Sequence, residues 1–221
     1  MTATAMKATQ TVPAEQFVIL HDISWELYER LLAEFADRPA PRLVYDRGVL
    51  EIMSPGPQHE EDHLALAAIV SAVAEELDLD FRPTGSMTFR RRDLEQGFEA
   101  DSSFYVTNER FARNLAEIEP TKDPPPDLVI ETDVSRSTLD KLVVYAGFGV
   151  PEVWRSHAGR VSILLLEAET YREMPRSRVL PLLTSEDLAR FLAESRVQRR
   201  PEWLRSVRAW ARERAGQASA E

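Results

Sequence analysis

The sequence predicts an α/β fold, with a central mixed β-sheet flanked by helices and followed by a helical C-terminal appendage. Short runs of β-branched and aromatic residues, typical of strands, alternate with longer segments whose apolar residues repeat at helical spacing. The chain has 221 residues, of which 43% are hydrophobic, enough for one substantial core. We therefore expect a flexible N-terminus at residues 1–16, an α/β domain at residues 17–180 and the appendage at residues 181–221.

The first half of this domain is predicted to contain two helices separated by a hairpin. Ser24 is a suitable N-cap for a helix over residues 24–37, in which apolar residues recur every four positions. Residues 42–53 are typical of a hairpin around an Asp-Arg-Gly turn. Small and apolar residues over positions 58–77 then predict a long helix that packs closely against the sheet.

The second half is predicted to supply further strands and the helices that follow them. Strands are expected at residues 88–91, 98–107 and 127–134, a hairpin at residues 153–166, and C-terminal helices at residues 185–194 and 201–215. Between the third strand and the hairpin, Ser135 or Ser137 would cap a helix over residues 138–148. The alternation of strands and helices is the basis of the α/β prediction.

The composition excludes several classes of site. The sequence has no cysteine, so disulfides, thiolate metal ligands and thiol nucleophiles are excluded, as suits a reducing cytoplasm. No apolar run resembles a signal peptide or a membrane span, and we expect a soluble cytoplasmic protein. The net charge of −10 argues against tight nonspecific binding to nucleic acid. An enzyme acting on nucleic acid would need local basic tracts, bound cations or a partner that delivers the substrate.

Two of the predicted strands carry acids among apolar residues. Strand alternation places Asp101 on one face of the strand over residues 98–107, and it places Glu131 and Asp133 together on one face of the strand over residues 127–134. An ionised carboxylate in a core strand needs a compensating partner, which can be a divalent cation. Because Mg²⁺ commonly takes one or two carboxylates, we predict that Asp101 and Glu131 bind Mg²⁺ or Mn²⁺.

A lysine on the next predicted helix completes this group. Lys141, one turn into that helix, has a stem long enough to reach back toward the strand end. Its ammonium should stay charged between two acids, which suits it to orient an attacking water and to stabilise charge on a phosphate. The alternative is that the acids and the lysine form ion pairs at strand ends without a catalytic role.

The same residues belong to a series of short motifs spread over residues 43–166. In chain order these are Leu50-Glu51-Ile52-Met53-Ser54-Pro55, His59-Glu60, Glu99-Ala100-Asp101, Pro126-Asp127-Leu128-Val129-Ile130-Glu131-Thr132-Asp133, Asp140-Lys141 and Gly149-Val150-Pro151-Glu152-Val153-Trp154. In this order the chain resembles the Uma-type family of restriction endonucleases, which is similar to the PD-(D/E)xK nuclease superfamily. The resemblance implies a restriction-endonuclease-like fold, Mg²⁺ as the usual cofactor, and nucleic acid, in the first place DNA, as the substrate.

Carried over by position, the resemblance assigns Asp101 and Glu131 as the metal-binding acids and Lys141 as the catalytic lysine. Ala100 stands where the superfamily has proline, a mild departure because that proline shapes the backbone and is no ligand. Asp133 stands where the superfamily's lysine usually lies. Catalysis would therefore depend on Lys141 arriving from a neighbouring element, with Asp133 supporting the metal or the position of the lysine.

Residues 59–63 also match the H-E-x-x-H pattern of zinc hydrolases, with His59 and His63 as ligands and Glu60 as the base. No histidine follows at the spacing that metzincins use, and the acids farther along the helix lie more than three turns away. A zinc metallohydrolase is thus an alternative with an incomplete ligand set. In the nuclease interpretation this helix borders the site, His59 or Glu60 could assist a water at the metal, and Asp62 and His63 lie on the helix surface.

Two basic tracts could contact nucleic acid. Arg90-Arg91-Arg92 precedes the predicted Asp101 strand and could either bind a phosphate backbone or be a solvated hairpin. The last predicted helix has an apolar stripe, which predicts docking onto the core, and a second face with Arg205, Arg208 and Arg212 that could meet nucleic acid.

Together these residues predict a metal-dependent endonuclease, a hydrolase of phosphodiester bonds in nucleic acid. A catalytically silent nuclease fold, acting as a binding or assembly module, stays open as an alternative, and the acidic balance favours it. The presence of Asp101, Glu131 and Lys141 together favours the enzyme, since a binding module has little need of all three. We expect no membrane association, and a homodimer is compatible with either function.

Overall fold

The computed structural model describes residues 16–36, 38, 40–113, 118–133 and 139–218. Helices within these ranges are α1 (Trp25–Phe35), α2 (Pro57–Glu76), α3 (Glu109–Ala112), α4 (Lys141–Phe148), α5 (Ser185–Ser195) and α6 (Arg200–Ala218). Strands are β1 (Gln16–Leu20), β2 (Arg42–Asp46), β3 (Val49–Ser54), β4 (Arg82–Pro83), β5 (Thr88–Arg91), β6 (Gln96–Glu99), β7 (Ser102–Tyr105), β8 (Leu128–Asp133), β9 (Glu152–His157), β10 (Arg160–Glu167) and β11 (Thr170–Met174). None of the described helices combines the length and apolar character needed to cross a bilayer.

The strands form two sheets. A five-stranded sheet has the order β1-β3-β2-β6-β5, and its neighbouring strands are antiparallel. A six-stranded sheet has the order β11-β10-β9-β8-β7-β4, in which β8 and β9 are parallel and the other pairs antiparallel. A parallel pair needs a crossover connection, and α4 lies in the connection between β8 and β9. The predicted α/β class with a mixed sheet flanked by helices is confirmed, and the separate five-stranded sheet is an addition to that prediction.

Three apolar clusters hold the layers together. The first packs α2, α5 and α6 against one face of the six-stranded sheet. The second fills the space between the opposite face of that sheet, α4 and the inner face of the five-stranded sheet. The third packs α1 on the outer face of the five-stranded sheet. Each fully buried Leu or Phe in such clusters contributes about 1.5–3 kcal/mol to the free energy of unfolding. The predicted C-terminal helices therefore share a core with α2.

Local sequence explains several helix boundaries. The Ser24 side chain accepts a hydrogen bond from Leu27 N at 3.2 Å, which confirms the predicted cap of α1. Helix α2 begins at Pro57, a residue favoured at the first helical position because its missing N–H has no partner to lose there. Helix α5 begins with a capping box between Thr184 and Asp187.

Both predicted hairpins are confirmed. Strands β2 and β3 are joined by Arg47 and Gly48, whose φ angles of 43° and 94° suit a two-residue turn that follows the twist of the strands. Strands β9 and β10 are joined in the same way by Ala158 and Gly159, with φ angles of 50° and 81°. The strands of this second hairpin are longer than predicted at both ends.

The strand predicted over residues 98–107 is wrong, because the chain forms β6 and β7 there and these belong to different sheets. Glu99, the last residue of β6, accepts a hydrogen bond from Leu43 N at 2.8 Å and is thereby held in the five-stranded sheet. Asp101 accepts one from Thr132 N at 2.7 Å, beside the six-stranded sheet. Asp101 therefore lies where the chain passes between the sheets, and not in the middle of a strand.

Helix α4 begins at Lys141, three residues after its predicted start. Asp140 is the N-cap and accepts a hydrogen bond from Leu142 N at 3.1 Å. The predicted caps, Ser135 and Ser137, lie outside the described residues. Lys141 is thus the first residue of the helix and not one turn into it, because Asp140 has extended backbone angles and caps the helix.

Four short elements lie outside the predicted set: β1, β4, β11 and α3. The three strands are at the edges of their sheets, where a strand buries little side-chain surface and shows a weak apolar pattern. Of the N-terminal segment at residues 1–16, only Gln16 is described, and it begins β1. The predicted helices at residues 185–194 and 201–215 are confirmed as α5 and α6.

Candidate active site

Polar side chains meet where the layer between the two sheets reaches the N-termini of α2 and α4. Glu51 on β3 lies across from Val44, so the two share a face of the five-stranded sheet. Glu131 on β8 shares a face with Val129. Both valines belong to the apolar cluster between the sheets, so their strands direct the two carboxylates into the same layer. Glu51 is 1% exposed and Glu131 is 3% exposed.

Lys141 lies between these two carboxylates. Its Nζ is 3.2 Å from Glu51 Oε1 and 3.2 Å from Glu131 Oε2. Tyr145, one turn farther along α4, donates its hydroxyl hydrogen bond to Glu131 Oε1. With both carboxylates ionised, this group carries one negative charge more than the lysine neutralises. A further cation would offset that excess.

Asp101 is held by a different set of donors. Arg42 Nη1 donates to Asp101 Oδ1, and the backbone N–H of Thr132 donates to Oδ2. His59 Nε2 lies 2.8 Å from Asp101 Oδ1 and 3.0 Å from Arg42 Nη1. Arg42 Nη2 also donates to Glu60 Oε1 at 2.8 Å. One guanidinium therefore links the buried acid to the N-terminus of α2.

The strand register places Asp101 across from Glu131. Strands β7 and β8 are antiparallel, and their pairing includes Ser102 opposite Ile130. Continuing this register one position past the end of β7 brings Asp101 opposite Glu131, and the N–H of Thr132 donates to the Asp101 carboxylate there. Directly opposite residues of neighbouring strands have Cβ atoms about 4.5–5.5 Å apart where the ladder is regular. The acids of the two donor sets are therefore neighbours.

Four of the five residues predicted for the site form two contacting pairs in the structure, and the fifth is Asp133. Asp101 contacts His59, and Glu131 contacts Lys141. Asp133 is the last residue of β8, and its side chain lies outside the described part of the chain.

Glu60 and His63 contact each other next to the residues that hold Asp101. His63 Nε2 lies 2.8 Å from Glu60 Oε2, and its Nδ1 lies 3.3 Å from Ser102 Oγ. Burial lowers the pKa of His63, although the contact with Glu60 opposes this. Burial alone would raise the pKa of Glu60, but the His63 hydrogen bond and the Arg42 charge outweigh it and leave that pKa lowered. The predicted surface position of His63 is wrong, because the ring packs beside β7 and is 5% exposed.

The zinc interpretation of residues 59–63 finds no ligand set. Among the described residues, no three histidine or acidic side chains are arranged to hold a metal ion, whereas protein zinc sites use three or four such ligands. His59 contacts Asp101 instead. Asp62, also predicted on the surface, is buried and accepts a hydrogen bond from Arg196 Nη2 at 2.8 Å. That ion pair joins the end of α5 to α2.

Three contributors to the site were not predicted: Arg42, Glu51 and Tyr145. Glu51 could have been found, since it interrupts an apolar strand in the same way as Glu131 does. Tyr145 lies four residues after Lys141, a spacing that places both on one face of a helix. Arg42 gave no local signal, because its partner Asp101 is 59 positions away along the chain.

Comparisons with known proteins show the family of the chain. Residues 25–195 match the Uma2 family, whose description is "Putative restriction endonuclease". No curated protein matches the chain. Among solved structures, the chain is similar to a protein of Anabaena variabilis ATCC 29413 described as a putative nuclease belonging to DUF820. The two share 19% sequence identity with a TM-score of 0.47, over 73% of this chain and 98% of that one. Because the family match covers most of the chain and every residue of the site, the chain belongs to the Uma2 family.

Proposed function

We propose that the chain is a divalent-metal-dependent endonuclease that hydrolyses phosphodiester bonds in nucleic acid. The contact of Lys141 with two buried carboxylates, near Asp101 at the passage between the two sheets, carries the proposal. A purely structural role explains such a group poorly, since well-packed apolar residues in place of buried ion pairs are often neutral or stabilising. Family membership supports the same class of reaction.

The carboxylates suit a hard cation such as Mg²⁺ or Mn²⁺. They are oxygen donors, and Mg²⁺ sites commonly use one or two protein carboxylates and leave other positions for water and phosphate oxygens. Asp101 and Glu131 are the residues that would hold the ion. When bound, the cation supplies positive charge at the phosphate and so favours attack by water. At Asp101 the cation competes with the guanidinium of Arg42.

Four surrounding residues have the other roles in the proposed reaction. Lys141 holds the attacking water and stabilises charge on the phosphate, because its ammonium is a charged donor that is 13% exposed at the edge of the group. Glu51 keeps that ammonium in place. His59 orients Asp101. Asp133, the last residue of β8, would support the metal or the position of the lysine.

A catalytically silent module is the second candidate, and one observation favours it. Arg42 already neutralises Asp101, and Lys141 already bridges Glu51 and Glu131. Such a network offsets part of its own charge and could persist in a fold that has lost catalysis. The two candidates differ in whether a divalent cation displaces Arg42 from Asp101.

A cleavage assay separates the candidates. Labelled single-stranded and duplex DNA and RNA are incubated with wild-type protein in Mg²⁺, Mn²⁺ or chelator, and Glu131→Gln and Lys141→Arg are tested beside it. We expect metal-dependent cleavage by the wild type and a loss of at least about 100-fold in each variant, since both keep the shape of the site but alter its charge or donor geometry. Absence of cleavage with every substrate and metal would favour the silent module. Unchanged cleavage by Lys141→Arg would show that the lysine supplies only diffuse charge.

A further inference from the structure

A groove of about 870 Å³ lies between the end of α1, the start of β5 and residues 118–121. Its wall includes Arg42, so the groove reaches the residue that contacts Asp101. This volume is within the usual range of small-molecule and cofactor sites, about 300–1,000 Å³. A few unpaired nucleotides suit such a volume better than a duplex does.

Arg42 is the connection between the groove and the acids. It is 6% exposed, and two of its nitrogens donate to Asp101 and Glu60. Its Nε is buried and has no hydrogen-bond partner among the described residues. A buried donor without a hydrogen-bond partner destabilises the folded protein. A ligand oxygen that draws the guanidinium toward the groove would remove this penalty.

Two further arginines line the open part of the groove. The guanidinium of Arg38 lies 5.7 Å from the centre of the Phe35 ring, and in the described part of the chain it forms no ion pair. Arg90 is 53% exposed, and its nearest acidic oxygen, on Glu29, is 3.9 Å away. Both side chains can therefore turn to a ligand without breaking a close ion pair.

The basic tract at residues 90–92 divides between two roles. Arg91 pairs with Asp93, and Arg92 pairs with Glu26 of α1. Arg90 alone of the three lines the groove. The tract thus contributes one arginine to the groove, while the other two fasten the hairpin.

The acids in the wall of the groove are already engaged. Glu99 accepts hydrogen bonds from Leu43 N and Thr88 Oγ1, and Glu119 pairs with Lys122. Arg38 and Arg90 are therefore the charged groups in the wall that are most available to a ligand. Guanidinium groups match phosphate oxygens in geometry and charge. Apolar side chains between them offer surface for unstacked bases, namely Phe35, Met87 and Ile118.

We infer that this groove binds one strand of nucleic acid and leads its phosphodiester backbone past Arg38 and Arg90 to Arg42 and the acids. The substrate class in this inference rests on the proposed function. The inference adds the route of the nucleic acid along the groove, the preference for a single strand and the residues responsible for that preference. An acidic protein with a net charge of −10 can hold a nucleic acid in this way because the attraction is local.

Fluorescence anisotropy of a 5′-labelled 12-nucleotide oligothymidylate, in chelator and at low salt, tests the inference. We expect Arg38→Gln combined with Arg90→Gln to raise Kd at least about 10-fold, since two phosphate contacts are lost, and to reduce the salt dependence of binding by a slope of about 1.4. The matched control is Arg91→Gln combined with Arg92→Gln, which removes the same charge from residues that pair with Asp93 and Glu26 and do not line the groove. We expect it to change Kd by less than about threefold.

Three results would overturn the inference: no binding by the wild type, equal weakening by both double variants, or tighter binding of a duplex of the same length. Binding is measured in chelator, where metal-dependent cleavage does not occur, so this test is separate from the test of the proposed function. A chain that binds through Arg38 and Arg90 but never cleaves would refute the endonuclease and keep the groove. A chain that cleaves single strands equally well without these arginines would refute the groove and keep the endonuclease.

Discussion

The two ends of α2 carry ion networks of the same chemistry in opposite surroundings. At the N-terminal end, Arg42 contacts Asp101 and Glu60, and the arginine and aspartate side chains are 7% and 1% exposed. At the C-terminal end, Arg208 of α6 pairs with Glu75 at 2.7 Å, and these side chains are 35% and 50% exposed. Both networks pair an arginine with acidic side chains, and the clearest difference is the exposure of the arginine and of this acidic partner.

This difference separates a functional network from a structural one. Exposed ion pairs contribute roughly 0–1 kcal/mol and require little desolvation, so the C-terminal pairs simply help α6 to dock. Buried charges cost several kcal/mol to desolvate, and stability alone rarely justifies them. The docking predicted for the last helix is confirmed by the burial of Trp203, Val207 and Ala211. Arg208 and Arg212 face acids of α2 there.

The largest effect is expected from breaking the buried network at Arg42. Arg42→Met leaves Asp101 and Glu60 without their guanidinium and should lower the free energy of unfolding by about 3–5 kcal/mol, as for other buried pairs that lose one partner. Urea unfolding followed by circular dichroism measures this. Mn²⁺ should raise the melting temperature more in this variant than in the wild type, because the cation replaces the missing charge.

A double variant provides the control for that experiment. Arg42→Met combined with Asp101→Asn should be more stable than Arg42→Met alone, since the uncompensated charge has gone. If Arg42→Met lowers the free energy of unfolding by less than about 1 kcal/mol, the Arg42 network behaves like an exposed ion pair. The two ends of α2 would then not differ in this respect.

The next effect concerns Lys141, which is buried less completely than Arg42. Lys141→Met should tighten Mn²⁺ binding at least about fivefold, because a positive charge beside the carboxylates is removed. Isothermal titration calorimetry measures the affinity. Lys122→Met is the matched control, since it removes the same charge from a lysine that is 73% exposed and pairs with Glu119. Equal affinity in Lys141→Met and wild type would contradict a metal position beside Glu131.

A smaller effect should appear in the pH dependence of stability. The pKa of His63 is lowered from its ordinary value of 6.5, so as pH falls the unfolded chain binds the proton first. The stability that neutral His63 contributes is therefore complete above pH 6.5 and is lost as the pH falls below that value. His63→Gln should flatten the decline between about pH 7.5 and 5.5. Urea unfolding across this range tests it, and an unchanged decline would show that another group titrates.

The smallest effect is expected at the exposed end of α2. Arg208→Gln should lower the free energy of unfolding by less than about 1 kcal/mol, with much of that effect removed by 1 M salt. The Arg42→Met loss should persist at the same salt concentration. Unfolding curves of both variants at low and high salt make the comparison, and equal salt sensitivity would mean that burial does not distinguish the networks.

Elements set by neighbouring residues could be predicted from the sequence. Ser24 caps α1 through a contact three residues away, and the β2–β3 and β9–β10 hairpins follow from their turns. The pairing of Glu131 with Lys141 was also within reach, because the strand and the helix that carry them follow each other in the chain. The residues in these contacts are close together in the sequence, so the local pattern of residues largely determines them.

The remainder depends on contacts between distant segments. Whether residues 98–107 form one strand or two is decided by Leu43 and Thr132, which hold Glu99 and Asp101 in different sheets. A local pattern of apolar residues contains no trace of either partner. The burial of Asp62 has the same origin, since Arg196 approaches it from 134 positions away.

The passage of the chain between the sheets at Asp101 has a consequence for how a nascent molecule behaves. Glu51 and Arg42 belong to one sheet and Glu131 to the other, so a molecule with only one sheet formed contains a fragment of the acidic group. On the proposed function, a ribosome-bound or partly unfolded chain could not cut the nucleic acid around it. Hydrolytic activity would begin only when the two sheets have docked. Incomplete folding would therefore prevent a nascent chain from cleaving the DNA and RNA of its own cell.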